Sequence, residues 1–140
     1  MSPPVAEKQT AGMHKERSTQ VFIVDDSAAI RQRLAEVLAT VPNIVIVGEA
    51  ENASQAIAGI LRTQPDSVLL DLNLMGSTGI DVMRAVRPKA PGIVFIVLTN
   101  HAEPQYQQAS TKAGASYFLD KSRDFERVPQ VIAEIAAARQ

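Results

Sequence analysis

Five side chains of this 140-residue sequence closely follow short apolar runs and are of types that do chemistry together. Asp25 and Asp26 come after VFIV (21–24), Asp71 after SVLL (67–70), Thr99 after IVFIVL (93–98), and Lys121 two residues after YFL (117–119). Three carboxylates drawn into one partly buried site repel strongly unless a cation neutralises them. A donor set of oxygen alone suits Mg²⁺, which keeps several waters and takes one or two carboxylates from a protein. The sequence contains no cysteine, which excludes thiol catalysis, disulfides and thiolate metal sites, and its two histidines, His14 and His101, stand alone. A cation, an ammonium and a hydroxyl are what a phosphoryl group needs, because they neutralise and hydrogen-bond its oxygens. An aspartate beside Mg²⁺ can also act as a nucleophile and carry the phosphoryl group as an acyl phosphate.

Bringing these residues together requires an architecture, and the pattern between them supplies one. The runs VFIV, IVIV (44–47), SVLL, IVFIVL and YFL are rich in Val and Ile and mostly lack a polar alternate position. They are too short for helices and read as strands of a sheet covered on both faces. Amphipathic periods lie between them: Ile30, Leu34, Val37, Leu38 and Val41; Ala53, Ala56, Ile57, Ile60 and Leu61; and Val128, Val131, Ile132 and Ile135. Two weaker periods cover 79–87 and 104–113. Pro42, Pro65, Pro88 and Pro91 each separate a helical period from the next run, whereas Pro104 opens a helix. Five strands alternating with five helices predict an α/β fold: a doubly wound five-stranded parallel sheet with right-handed crossovers, one domain over 20–140. The residues after each strand then gather at the carboxyl edge of the sheet. The second run, followed by Gly48-Glu49-Ala50, contributes least there.

Composition narrows the classes further. With 46% hydrophobic residues but only 4% aromatic, the chain has the makings of an aliphatic globular core. A formal net charge of −1 gives no electrostatic footprint for nucleic acid, so direct DNA binding is not expected. No stretch approaches the roughly 20 apolar residues of a membrane span. Residues 1–19 mix Pro, Ser, Thr, Gly and both charge signs without a period or an apolar signal region, and are expected to form a flexible tail. A cytoplasmic protein without membrane contact is the expectation.

Four segments, in order, carry a family resemblance. FIVDDSAAIR (22–31) resembles the acidic-pair motif, LLDLNLMGSTGIDVM (69–83) the phosphoacceptor loop, IVLTN (96–100) the threonine motif and KAGASYFLDK (112–121) the Gly-Ala-to-lysine motif of the receiver domain of two-component response regulators. The sequence is identified as a member of that family over residues 20 to about 137. The resemblance implies a flavodoxin-like three-layer sandwich with strand order 2-1-3-4-5. It implies that Asp71 is the phosphoacceptor, that Asp26 ligates Mg²⁺ directly, that Asp25 acts partly through water, and that Asn73 ligates through its backbone carbonyl. Lys121 would salt-bridge the phosphoryl oxygens and Thr99 would hydrogen-bond them. Phe118 occupies the position of the rotameric switch aromatic, with Tyr117 out of register. Asn73, Asn100 and His101 lie where the family tunes access of water to the phosphoryl group; for His101 a plain loop histidine is the other reading.

The implied function is a phosphorelay signalling switch. A sensor histidine kinase or phosphotransfer protein donates the phosphoryl group to Asp71 with Mg²⁺, and the altered surface acts on an output partner that the sequence does not name. Phosphorylation-dependent homodimerisation is one such output. The chain would catalyse only its own phosphorylation and dephosphorylation. The receiver half of a longer DNA-binding transcription factor is the alternative, toward which SYFLDKSRDFERV leans. An aspartyl-nucleophile phosphatase resembling haloacid-dehalogenase-like enzymes is disfavoured, because Asn73 stands where those enzymes place an acidic residue.

Several positions depart from the family pattern or bear a second reading. Met75 replaces the usual proline, so the loop after Asp71 is expected to be less rigid. Asn100 is larger than the usual small residue. Ser122 replaces a proline, which leaves the Lys121–Ser122 peptide open between the intrinsic trans default and a cis form imposed by the fold. Asp25 and Asp26 also suit a capping role for the following helix. Gly76 and Gly79 read as turn glycines, and Tyr106, Ala109 and Ala113 as helix packing. Gln105, Gln107 and Gln108 form an uncharged face open to a partner.

Overall fold

The architecture follows from the alternation of apolar runs and amphipathic periods, and the computed structural model describes residues 18–139. Strands β1 (Thr19–Val24), β2 (Ile44–Ala50), β3 (Ser67–Leu70), β6 (Val94–Thr99) and β7 (Ala115–Asp120) form one sheet in the order β2-β1-β3-β6-β7, all parallel. Between them run α1 (Ala28–Leu38), α2 (Ala53–Thr63), α3 (Gly79–Val86) and α4 (Pro104–Ala113); a 3₁₀ turn, Phe125–Arg127, leads into α5 (Val128–Arg139). Two short strands, β4 (Asn73–Leu74) and β5 (Ser77–Thr78), pair as an antiparallel hairpin outside the main sheet. Counting the five long strands alone, the order is the expected 2-1-3-4-5.

Alternate residues of the strands serve opposite layers, which is what a sheet covered on both faces demands. Phe22, Val24, Val68, Leu70, Phe95 and Val97 pack with Ala56 and Ile60 of α2 and Val82 and Met83 of α3. Val21, Ile23, Leu69, Ile96, Leu98 and Leu119 pack with Leu34 and Leu38 of α1 and Ile132 and Ile135 of α5. Each fully buried aliphatic side chain contributes about 1.5–3 kcal/mol of transfer free energy. The Phe22 ring lies against Gly48 of β2 and Gly59 of α2, where an added Cβ would sit 2.5 Å and 2.6 Å from it. The close approach of an edge strand and a covering helix thus depends on two missing side chains.

Three expectations change. Most of the expected tail, 1–17, lies outside the described residues, but Thr19 already belongs to β1: it is buried and its N–H donates to Asn43 O at 2.8 Å. The loop after Asp71 contains a short antiparallel pairing that the sequence pattern did not predict, the β4–β5 hairpin, whose tip, Met75-Gly76, uses the positive φ of 70° that glycine supplies freely. Tyr106 is exposed on α4 rather than packed. The Lys121–Ser122 peptide is trans, as are all others among the described residues.

Candidate functional site

β1 and β3 are neighbours, with Val24 in register with Leu70, so Asp25 and Asp71 leave the sheet side by side. Their backbones are fixed by the sheet itself: Asp25 N donates to Ala50 O and Asp71 N to Val24 O, each at 3.0 Å. Thr99 ends β6, next to β3, and is in register with Asp120 of β7. Lys121 follows at once, its N–H donating to Thr99 O at 2.8 Å. The parallel topology alone therefore collects four side chains of three chemical kinds, carboxylate, hydroxyl and ammonium, from sequence positions far apart.

Lys121 Nζ lies 2.7 Å from Asp25 Oδ2 and 2.8 Å from Asp71 Oδ2. All three groups are largely removed from water, with Asp25 only 2% and Asp71 6% exposed. Burial by itself pulls the Lys121 ammonium down in pKa, but its hydrogen bonds and attraction to Asp25 and Asp71 outweigh that and hold it above the ordinary 10.5. Asp25 Oδ1 accepts from Ser27 N at 2.9 Å, and Asp71 Oδ1 accepts from Asn73 N at 3.2 Å. Both buried carboxylates are thus held in place by a backbone N–H on one oxygen and by Lys121 on the other. The helix cap is a separate residue: Ser27 Oγ, not Asp25 or Asp26, accepts from Ile30 N.

Asp26 is exposed, yet one oxygen from each of Asp25, Asp26 and Asp71 lies within 4.8 Å of the other two. Among the described residues no histidine joins this group, and Lys121 already engages two of its members. An all-oxygen set with one carboxylate that no cation among the described residues engages fits a hard divalent ion such as Mg²⁺.

Thr99 is fully buried and its Oγ1 accepts from His101 N at 3.2 Å, which leaves its own O–H free to donate elsewhere. Asn100 is exposed beside it, and the His101 ring stacks obliquely on Tyr106 with centroids 5.4 Å apart. Phe118 is half-buried against the α2–α3 core layer, while Tyr117 packs on the opposite layer, as alternation along a strand requires. Gly79 opens α3 directly against the Asp71 carbonyl, a space that any Cβ would fill.

One participant escaped the sequence reading. Arg31 of α1 donates from Nη1 to the Asp25 carbonyl at 2.6 Å and from Nε to Glu49 Oε1 at 2.9 Å. The β2 end, expected to contribute least, supplies both Ala50 O and Glu49. The signal lay in Arg31 standing one helical turn past the acidic pair, pointed back toward it.

The family model of the response regulator receiver domain matches residues 21–133. The chain belongs to this family. It is 35% identical over 121 residues to protein-glutamate methylesterase/protein-glutamine glutaminase 3 of Pseudomonas syringae pv. syringae (strain B728a), a match over 84% of this chain and 31% of that protein. It is 29% identical over 127 residues to the nitrate/nitrite response regulator protein NarL of Escherichia coli (strain K12), covering 89% of this chain and 58% of that one. The chain thus spans between about a third and three fifths of the length of these curated relatives. Among solved structures, a LuxR-family two-component response regulator from Aurantimonas sp. SI85-9A1 matches with a TM-score of 0.81 at 29% identity, over 88% of both chains. The response regulator domain of Thermotoga maritima CheB matches with a TM-score of 0.77 at 25% identity, over 87% of this chain and 96% of that one. The receiver domain therefore has the flavodoxin-like fold expected of it, and no helix among its described residues is long and apolar enough to cross a membrane.

Proposed function

We propose that this receiver is a phosphoacceptor switch in a two-component pathway, with Asp71 as the acceptor. The observation that carries the reading is the buried Asp71 carboxylate, 2.8 Å from the Lys121 ammonium and clustered with Asp25 and Asp26. A carboxylate this dry is retained at a strand end when something must react with it or neutralise it.

Asp71 attacks the phosphorus of a phosphohistidine on a sensor kinase or phosphotransfer protein. The new O–P bond forms as the N–P bond breaks, and the electron pair stays on the imidazole nitrogen, which takes up a proton. Asp25, Asp26, Asp71 and the Asn73 carbonyl would hold Mg²⁺, with Asp25 acting partly through water. When bound, the ion supplies neutralisation of negative charge on the phosphoryl oxygens. Lys121, already between the two buried carboxylates, provides the second positive charge, and Thr99 donates its free O–H to a phosphoryl oxygen. Hydrolysis reverses the modification: water attacks the phosphorus, the bond to Asp71 breaks and inorganic phosphate leaves. Asn73, Asn100 and His101 border that approach and set its rate.

As Thr99 turns toward the phosphoryl group, the half-buried Phe118 moves inward and reshapes the surface of α4, β7 and α5. The inward state prevails only by the difference in contact energy between the two states. The altered surface engages an output partner or a second copy of the chain. We take the receiver to begin at Thr19, to act in the cytoplasm, to bind no nucleic acid itself, and to catalyse only its own phosphorylation and dephosphorylation.

Intact-mass measurement after incubation with a small acyl-phosphate donor and Mg²⁺ tests this. A single phosphoryl adduct that disappears in Asp71→Asn and without Mg²⁺ is expected. An equal adduct on Asp71→Asn overturns the acceptor, and an adduct indifferent to Mg²⁺ overturns the metal site.

A further inference from the structure

We propose that Arg31 is a positioning residue for the cation of the acidic cluster: it fixes the Asp25 carbonyl, and with it the peptide that carries Asp26. The inference rests on the reading of the cluster as a Mg²⁺ site.

Every backbone polar group of Asp25 is engaged. Its N–H donates to Ala50 O at 3.0 Å and its carbonyl accepts from Arg31 Nη1 at 2.6 Å. Its carboxylate accepts from Ser27 N and Lys121 Nζ. Asp26, by contrast, is exposed, and its carboxylate has no hydrogen-bonding partner among the described residues, so the direction in which it leaves the chain is inherited from the Asp25–Asp26 peptide. Arg31 is the group that holds that peptide from outside the strand. Its side chain is itself mostly buried and anchored by Glu49, so it does not swing freely.

Simple electrostatics gives Arg31 the opposite sign. A guanidinium beside a divalent-cation site repels the ion and weakens binding. Glu49, paired with Arg31 at 2.9 Å, offsets that charge and leaves the geometric hold as the net effect. Outer residues that orient metal ligands commonly matter by one to two orders of magnitude in affinity. Charge and positioning therefore predict opposite directions for the same substitution.

Mg²⁺ affinity of the full chain, measured by isothermal titration without phosphodonor, distinguishes them. Arg31→Gln is expected to weaken Mg²⁺ binding by roughly 10-fold or more. Arg31→Lys keeps the charge but not the fork that spans the Asp25 carbonyl and Glu49, and restores only part of the affinity. Glu49→Gln, at a half-exposed position, weakens binding by a smaller factor because the guanidinium loses its counter-charge. In Mg²⁺-free buffer, amide exchange at Asp26 and Ser27 speeds up in Arg31→Gln. Unchanged or tighter Mg²⁺ binding by folded Arg31→Gln overturns the proposal. Should that variant not fold, wild-type affinity in both Arg31→Lys and Glu49→Gln overturns it equally. A wild-type chain that binds no Mg²⁺ overturns instead the reading of the cluster on which the proposal rests.

Discussion

At the amino edge of the sheet, Asp66 meets Arg139 at 3.0 Å and accepts the Gln20 N–H at 2.7 Å, while Arg139 also reaches Thr19 Oγ1 at 3.3 Å. At the carboxyl edge, Asp25, Asp26 and Asp71 cluster, and among the described residues one ammonium, that of Lys121, pairs with Asp25 and Asp71. The first cluster pairs one acid with one base, each about a fifth exposed, and ties α5 back to the starts of β1 and β3. The second sets two dry carboxylates and an exposed third against one ammonium, an excess of two acids. A balanced, hydrated pair behaves as a staple, whereas an unbalanced, buried one is stable only relative to a missing positive charge. The same sheet thus places a structural ion pair at one end and a cation-seeking one at the other. Their difference lies in stoichiometry and dryness rather than in residue type.

The largest test of this contrast removes the base at each edge. Lys121→Met leaves two buried carboxylates without their partner and is expected to destabilise the fold by about 3 kcal/mol or more in urea unfolding, with Mg²⁺ restoring part of the loss. Because the Lys121 pKa is raised, the ion-pair contribution is complete below 10.5 and disappears as pH climbs through the higher folded value. Arg139→Met, at the better hydrated edge, should cost only about 1.5 kcal/mol, and Mg²⁺ should restore none of it. Equal rescue by Mg²⁺ at both edges would erase the distinction.

Removing an acid should sharpen it. Asp26→Asn relieves repulsion and is expected to stabilise the Mg²⁺-free protein by up to about 1 kcal/mol while abolishing the stabilisation that Mg²⁺ gives the wild type. A destabilised Asp26→Asn in Mg²⁺-free buffer would contradict the surplus-acid account.

The smallest effect concerns the turn that follows Lys121. Hydrogen bonds from the Ser122 side chain and backbone lower the Asp120 pKa, and the Asp120 N–H lowers that of Asp124. Their contribution is present above the ordinary value of 3.8 and is lost as pH falls through the depressed folded values. The difference in thermal stability between wild type and Asp124→Asn should therefore shrink steadily toward strong acid. A gap that widens on acidification would reverse the assigned sign.

The parallel sheet was legible because IVIV and SVLL are too short for helices and too apolar for exposed strands. The acid, hydroxyl and ammonium groups were legible because each sits at the end of such a run. The β4–β5 hairpin was not: two-residue strands around Met75-Gly76 have no period to detect, and the pairing of Asn73 with Thr78 depends on where α3 begins. The start of β1 at Thr19 was hidden because its fixing contact, from Asn43 O, comes from the turn before β2. Arg31 was hidden for a related reason. On α1 it reads as an ordinary polar position, and its backward lean toward the acidic pair becomes telling once the end of β2 brings Glu49 beside it.

The stack of His101 on Tyr106 has an optical consequence. The sequence contains no tryptophan and only two tyrosines, so no indole drains or masks phenolic emission. Tyr117 lies half-buried on the far side of the sheet from the α2–α3 layer and supplies a background set by packing there. Tyr106 rests against an imidazole whose own backbone N–H is bonded to the Thr99 hydroxyl. Any displacement of that hydroxyl changes the footing of the imidazole, and the unlabelled protein carries its own fluorescent gauge, Tyr106, seven residues from the threonine it reports on.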